Sequence, residues 1–233
     1  MIDPWQGEVV CIRMAWQHCM PQSHSDTEQS KMKNLFKRIR KPQVDEAITI
    51  VSGLPRSGTS MMMKMLEAGG IPPMTDLIRT ADDDNPKGYY EYERVKKMPE
   101  GDTAWLPEAK GKAIKVISAL LEHLPQGYTY RVIFMHRKLD EVLASQKQML
   151  VRSDKPTDKV SDEKLSEIYG KHLAKVQSWL AAQPNFSVLF VDYNALLAEP
   201  DAHMRQISRF LEDQVDFEKM AGVIDPNLYR QRK

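Results

Sequence analysis

The sequence predicts an α/β fold, a parallel sheet with helices on both faces. Three observations carry that expectation. β-rich runs stand at 47–53 (AITIVSG), 128–137 (YTYRVIFMHR) and 187–193 (SVLFVDY). Helix-forming segments alternate with them, the pattern of strand–helix–strand units. The run at 128–137 is apolar through its centre, too apolar for a wet edge. The composition agrees. A chain of 233 residues that is 42% hydrophobic and 28% charged is globular, with room for one sizeable domain.

Taken in order, residues 1–45 read as an N-terminal extension and 46–233 as the nucleotide-binding domain. The segment 21–30 is polar and turn-rich. KMKNLFKRIRKP at 31–42 carries six basic residues and spaces Met32, Leu35, Phe36 and Ile39 as a short amphipathic helix, read as peripheral to the domain. The first strand ends at Gly53, LPRSGTS turns the chain, and MMMKMLEAGG forms a helix closed by Gly69 and Gly70. Some of Met61, Met62 and Met63 must face the core. Residues 71–90 read as loop and 90–98 as a short helix. In 109–125, Ile114, Ile117, Leu120, Leu121 and Leu124 define a helical stripe that Pro125 stops. Lys112 and Lys115 then fall on its solvated face, the alternative being that they line an acidic cleft. A helix follows the second strand at 138–151. Another fills 161–182, with Ser161 a weak capping signal and Asp162 and Glu163 suited to the first turn. A minimal sheet needs one or two further strands, expected near 74–79 and 103–106.

The sharpest local signal is ITIVSGLPRSGTSMMMKML. Gly53 and Gly58 have the G-x-x-x-x-G spacing of a phosphate loop between a strand and a helix. Such a loop turns successive backbone N–H groups inward, and the helix N-terminus adds unpaired donors. Thr59 and Ser60 offer hydroxyls, and Arg56 offers a planar fork of donors for an anion's oxygens. A nucleoside-triphosphatase loop continues G-K-[ST], whereas here Thr59 follows Gly58, and the positive charge stands on Arg56. The second constellation is FMHRKLDEVLAS, with Arg137 and Ser145 eight residues apart. Arg137 ends a strand whose carboxyl end lies on the ligand-binding side of a parallel sheet, the side of Arg56. Together the two point to a nucleotide with phosphates at two ends.

The segments GLPRSGTS and RVIFMHRKLDEVLAS resemble a sulfotransferase that uses 3'-phosphoadenosine-5'-phosphosulfate (PAPS). The resemblance runs from about residue 47 to 192 and is nearest to the bacterial members. PRSGTS also resembles the loop of tyrosylprotein sulfotransferases, which likewise place arginine where the aryl and steroid enzymes have lysine. The resemblance implies a P-loop-like fold. It implies that Arg56, Ser57, Gly58, Thr59 and Ser60 hold the 5'-phosphosulfate and that Arg137 and Ser145 hold the 3'-phosphate. VDYNALLAEP is similar to the family's Tyr-Glu-x-Leu stretch, where Tyr193 would approach the nucleotide, although Asn194 replaces the glutamate. The family's C-terminal basic loop has no clean counterpart; Arg230, in DPNLYRQRK, is the candidate to close over the nucleotide.

Sulfuryl transfer needs charge stabilisation at the donor, assigned to Arg56 and the loop N–H groups, and a base for the acceptor proton. By resemblance to the glutamate-using members, the base is Glu91, with Glu93 second. His136 adjoins Arg137, but strand alternation turns neighbours to opposite faces. The leaving phosphate makes no demand for a metal, and His18, Cys19 and His24 do not form a convincing metal site. Trp105, Tyr89 and Tyr90 are candidates for an acceptor pocket or for core.

The acceptor class stays open among small molecules, carbohydrates, lipids and peptides. Lys+Arg 33 against Asp+Glu 32 gives no field for nucleic acid. Two cysteines, Cys11 and Cys19, make no disulfide scaffold, and no apolar run reaches 18 residues, so the expectation is a cytoplasmic protein without a transmembrane segment. Two other readings compete. VLFVD at 188–192 resembles the strand whose terminal Asp holds magnesium in kinases, which makes Asp192 the residue of an ATP-dependent small-molecule or nucleotide kinase with an atypical loop. A non-catalytic nucleotide-binding protein is the other.

Overall fold

The computed structural model describes residues 46–76, 78, 88–154 and 160–224, and the account that follows is of these. The basic helix expected at 31–42 and Arg230 lie outside them.

Four strands form one parallel sheet in the order β2-β1-β3-β4: β1 Ile48–Gly53, β2 Ala113–Lys115, β3 Tyr130–His136 and β4 Phe186–Asp192. The register aligns Val51 with Lys115 on one side and with Ile133 on the other, and Ile133 in turn with Leu189. Helices are α1 Thr59–Ala68, α2 Leu139–Arg152, α3 Asp162–Ala181, α4 Tyr193–Ala198, α5 Pro200–Phe210 and α6 Phe217–Ala221. The expected α/β fold, a parallel sheet flanked by helices, is the one observed.

Side-chain alternation along the strands sorts the core into two layers. Ile48, Ile50, Val132 and Phe134 face one side, where Trp105, Leu106, Val176 and Leu180 cover them. Val51, Ile133 and Met135 face the other, against Met62, Met63, Met65 and Leu66 of α1 and Met204, Ile207 and Met220 of the C-terminal helices. The methionines of α1 serve as packing, and Met62 and Met63 are fully buried. Trp105 is also fully buried, edge-on to Tyr92 at 5.6 Å, and donates its indole N–H to the Asp102 carbonyl at 3.0 Å. It belongs to the core and lines no acceptor pocket. Ser161 does cap α3: its hydroxyl accepts the Lys164 N–H at 3.3 Å.

The stretch 109–125 is not the helix its stripe predicts. It holds the short strand β2 and then a 3-10 turn, Ser118–His123. Gly111, at φ 68°, turns the chain into β2. The edge is extended by a bridge from Pro73 to Ala113, and the Met74 N–H donates to the Ala113 carbonyl at 2.7 Å. The missing fourth strand is therefore β2. Residues 103–106 lead instead into a 3-10 turn, Leu106–Ala109, and the helix expected at 90–98 is a 3-10 segment, Glu93–Glu100.

Candidate active site

With β1 between β2 and β3, the turns that follow these three strands open side by side at the carboxyl edge of the sheet, where open α/β sheets bind ligands. The turn after β1 is fixed from within. Gly53 has φ 145°, and a Cβ there would lie 2.5 Å from Ser57 Oγ and 2.6 Å from the Met135 carbonyl oxygen, so no larger residue fits. Ser57 is buried. Its hydroxyl donates to the Leu54 carbonyl at 2.7 Å and its N–H to the same oxygen at 3.2 Å. That hydroxyl closes the loop on itself. Gly58 has φ 98° and lies under the Tyr193 ring; a Cβ would meet Cδ2 at 2.4 Å.

Arg56 adopts φ 74°, a left-handed conformation that costs a non-glycine residue energy unless its surroundings impose it. The surroundings are visible. Its Nε donates to Ser145 Oγ on α2 at 2.9 Å, and Arg137 Nη1 donates to its carbonyl oxygen at 3.0 Å. Arg137 thus lies on the same side as Arg56, as its strand-end position predicts, and Ser145 joins them. The arrangement differs in detail, because Arg137 and Ser145 both converge on Arg56.

Sequence reasoning missed the group beneath them. Glu141 is fully buried, one turn into α2, and accepts Arg137 Nε at 2.9 Å on one oxygen and Asn194 Nδ2 at 2.9 Å on the other. Asn194, which departs from the resembled motif, therefore has a task here. The signal was present as an i, i+4 Arg/Glu spacing. The Arg137 guanidinium also stands 4.7 Å from the centre of the Tyr193 ring. Burial pushes the Tyr193 hydroxyl above its ordinary pKa, and Arg137 pulls it the other way.

At the start of α1, Gly58 supplies no capping side chain and the first turn holds no acidic residue. Among the described residues, the N–H groups of Thr59, Ser60 and Met61 find no main-chain acceptor. Helix-terminal donors, Arg56 and the Thr59 hydroxyl form a donor set that fits a phosphate or sulfuryl anion.

A third group adjoins them. Ser60 Oγ donates to the Tyr89 carbonyl at 3.4 Å, and Lys115 Nζ donates to the same oxygen. The Lys115 ammonium, largely buried, stands 3.9 Å from Glu91 Oε1, and Lys96 Nζ is 3.3 Å from Glu91 Oε2. Lys115 does not sit on a helix: as the last residue of β2 it stands at the carboxyl edge. Glu93 pairs with Lys96 at 2.6 Å and is more exposed, with 42% of its side chain accessible against 20% for Glu91.

Other candidates lie elsewhere. His136 contacts Gln177 at 3.1 Å, between the rings of Phe134 and Phe190, and burial lowers its pKa. Tyr90 donates its hydroxyl to Glu67 at 2.5 Å. The Asp192 carboxylate caps α4 by accepting the Ala195 N–H at 2.7 Å. Among the described residues no group of three His, Cys, Asp or Glu side chains is placed to hold a metal ion, and no helix is long and apolar enough to cross a membrane.

The loop residue Arg56, the strand-end Arg137 and the capless start of α1 thus stand together at the carboxyl edge of the sheet. Residues 46–230 match the model of the sulfotransferase domain, and the chain belongs to that family. A sulfotransferase from Mycobacterium tuberculosis H37Rv has a similar crystal structure. The match has a TM-score of 0.51 and 16% identity, over 83% of this chain and 75% of that one, and shows a shared fold. The sulfotransferase domain from the curacin biosynthetic pathway is also similar, with a TM-score of 0.42 and 15% identity over 80% and 78% of the two chains. No curated protein matches the sequence significantly.

Proposed function

We propose that the chain transfers a sulfuryl group from PAPS to a hydroxyl or amine acceptor, releasing adenosine 3',5'-bisphosphate. We also place it with the bacterial sulfotransferases and read residues 46–233 as the catalytic domain behind an N-terminal extension. One observation carries the reading: Arg137 and Ser145 converge on Arg56, beside the uncapped start of α1.

In this reading the loop is P-loop-like. The N–H groups at the start of α1, with the hydroxyls of Thr59 and Ser60, hold the 5'-phosphosulfate. Arg56 and Lys115 carry the positive charge that stabilises the departing phosphate. Arg137, Ser145 and Tyr193 form the wall for the 3'-phosphate and nucleoside, and Arg230 contributes from the C-terminal segment. PAPS supplies an activated sulfuryl group whose leaving group is a phosphate. Glu91 takes the proton of the attacking acceptor. Its place 3.9 Å from the largely buried Lys115, beside the start of α1, favours it over the more exposed Glu93. The Asp192 carboxylate caps α4 through one oxygen, so the kinase reading turns on ATP–magnesium use, tested below.

The test is incubation with 35S-labelled PAPS and a mixed acceptor set, following the label into the acceptor. Transfer that collapses in R56A supports the assignment. Transfer from γ-labelled ATP with magnesium, and none from PAPS, would overturn it.

A further inference from the structure

Glu91 lies in 88–92, a segment that is neither helix nor strand, so no regular main-chain ladder fixes it. A base must still be held closely, since a misplacement of about 1 Å costs on the order of 10²-fold. The bonds that hold this segment come from outside it. The Thr75 hydroxyl donates to the Glu91 carbonyl oxygen at 2.8 Å, and the Asp76 N–H donates to the same oxygen at 3.3 Å. The Asp76 carboxylate accepts the Glu93 N–H on Oδ2 at 2.6 Å and the Ile78 N–H on Oδ1 at 3.1 Å. Thr75 and Asp76 thus clamp the main chain on both sides of Tyr92.

The clamp is tied to the sheet. Pro73 bridges to Ala113, and the Met74 N–H donates to the Ala113 carbonyl at 2.7 Å. Ala113 begins β2 and Lys115 ends it. One strand therefore sets Lys115 directly and, through 73–76, the main chain of Glu91. That common origin brings Lys115 Nζ within 3.9 Å of Glu91 Oε1. The other end of the segment is pinned as well. Tyr90 is left-handed, at φ 53°, and its hydroxyl donates to Glu67 of α1 at 2.5 Å. Ser60 and Lys115 both donate to the Tyr89 carbonyl oxygen. Those ties involve α1 and Lys115, which the donor needs. The clamp does not: neither Thr75 nor Asp76 belongs to the loop or to α1.

We propose that Thr75 and Asp76 are positioning residues for the transfer. They act through Glu91, holding its carboxylate at Lys115 and beside the start of α1, and touch neither donor nor acceptor. The proposal rests on the sulfotransferase reading above, with Glu91 as the base.

The test is a double-mutant cycle in the full chain. T75V removes the hydroxyl and keeps the branched shape, T75S restores the hydroxyl, and D76A removes the carboxylate. T75V and D76A are made alone and in the E91Q background. Turnover is read as 35S carried from PAPS into the mixed acceptor set, and the donor site as affinity for adenosine 3',5'-bisphosphate. Turnover should fall at least about fivefold in T75V and about tenfold in D76A, and return to within about twofold of wild type in T75S. In E91Q, adding either change should lower turnover by less than about twofold, because its effect passes through the missing carboxylate. Bisphosphate affinity should stay within about twofold throughout, and the Glu93 amide, bonded to Asp76, should exchange at least about tenfold faster in D76A. Equal losses of turnover with and without E91Q, or wild-type turnover in both T75V and D76A, would overturn the positioning role and leave the sulfotransferase reading standing. Wild-type turnover in E91Q would remove the base, and the positioning role with it. Bisphosphate binding and sulfuryl transfer both absent from the wild type would overturn the sulfotransferase reading itself.

Discussion

Arg137 donates from Nη1 to the main-chain carbonyl oxygen of Arg56 at 3.0 Å, and so braces the left-handed residue at the tip of the loop from the end of the neighbouring strand. The brace is itself held by the fully buried Glu141 carboxylate at 2.9 Å. Removing one partner of a buried ion pair leaves the other charge uncompensated, at a cost of about 3–5 kcal/mol. R137A is expected to lose stability on that scale in urea unfolding, and R137A/E141Q to recover a good part of it. Equal losses in the single and double variants would show that Glu141 does not depend on Arg137.

Gly58 faces two constraints, its φ of 98° and the Tyr193 ring. A left-handed conformation alone costs an ordinary residue about 1–2 kcal/mol. G58A is therefore expected to lose at least about 2 kcal/mol, with bisphosphate affinity falling in parallel. Adding Y193A relieves the overlap but not the backbone strain, so the double variant should regain only part of the stability.

Burial lowers the His136 pKa below its ordinary value, against a smaller upward pull from Asp192. The unfolded chain then binds the proton more readily than the folded one. Stability is accordingly complete above the unfolded value, near pH 6.5, and is lost as pH falls from there toward the folded value. Urea midpoints measured from pH 7.5 to 5 should decline less steeply in H136N than in wild type. Parallel declines would remove His136 from the account.

The two carboxylates at 91 and 93 differ in surroundings, Glu91 beside the buried Lys115 and Glu93 beside Lys96 alone. E91Q is expected to lower turnover at least about tenfold, since positioned acid–base groups supply about 10²–10⁴-fold, and E93Q to change it less than about threefold. Single-turnover rates with saturating PAPS measure both. Reversal of the order would move the base to Glu93.

Three of the four strands were legible because each is a long apolar run, and β1 and β3 are buried along most of their length. The fourth was hidden by coincidence of spacing. Ile114, Leu121 and Leu124 are buried in the structure as a helix would bury them, but Ile117 of the same stripe is exposed, which a helix packed on that stripe would not allow. A three-residue strand is too short for its period to outweigh such a pattern. Reading β2 as helix set Lys115 on a helix face instead of at a strand end. The common side of Arg56 and Arg137 was legible because strand ends fix it in any parallel sheet, but the convergence of Arg137 and Ser145 on Arg56 was not. Asn194 was not legible either, because its contact with Glu141 joins residues 53 apart; Glu141 itself carried an i, i+4 spacing from Arg137 that was not read. Ser57 and Trp105 show the complementary limit. A residue type suited to ligand binding was used instead to close a turn and to fill the core.

The most direct measurement is calorimetric titration of the full chain with adenosine 3',5'-bisphosphate beside ATP–magnesium, in wild type and in R56A. The account predicts tight binding of the bisphosphate, little binding of ATP–magnesium, and at least a tenfold loss of bisphosphate affinity in R56A. Binding of ATP–magnesium alone would contradict it.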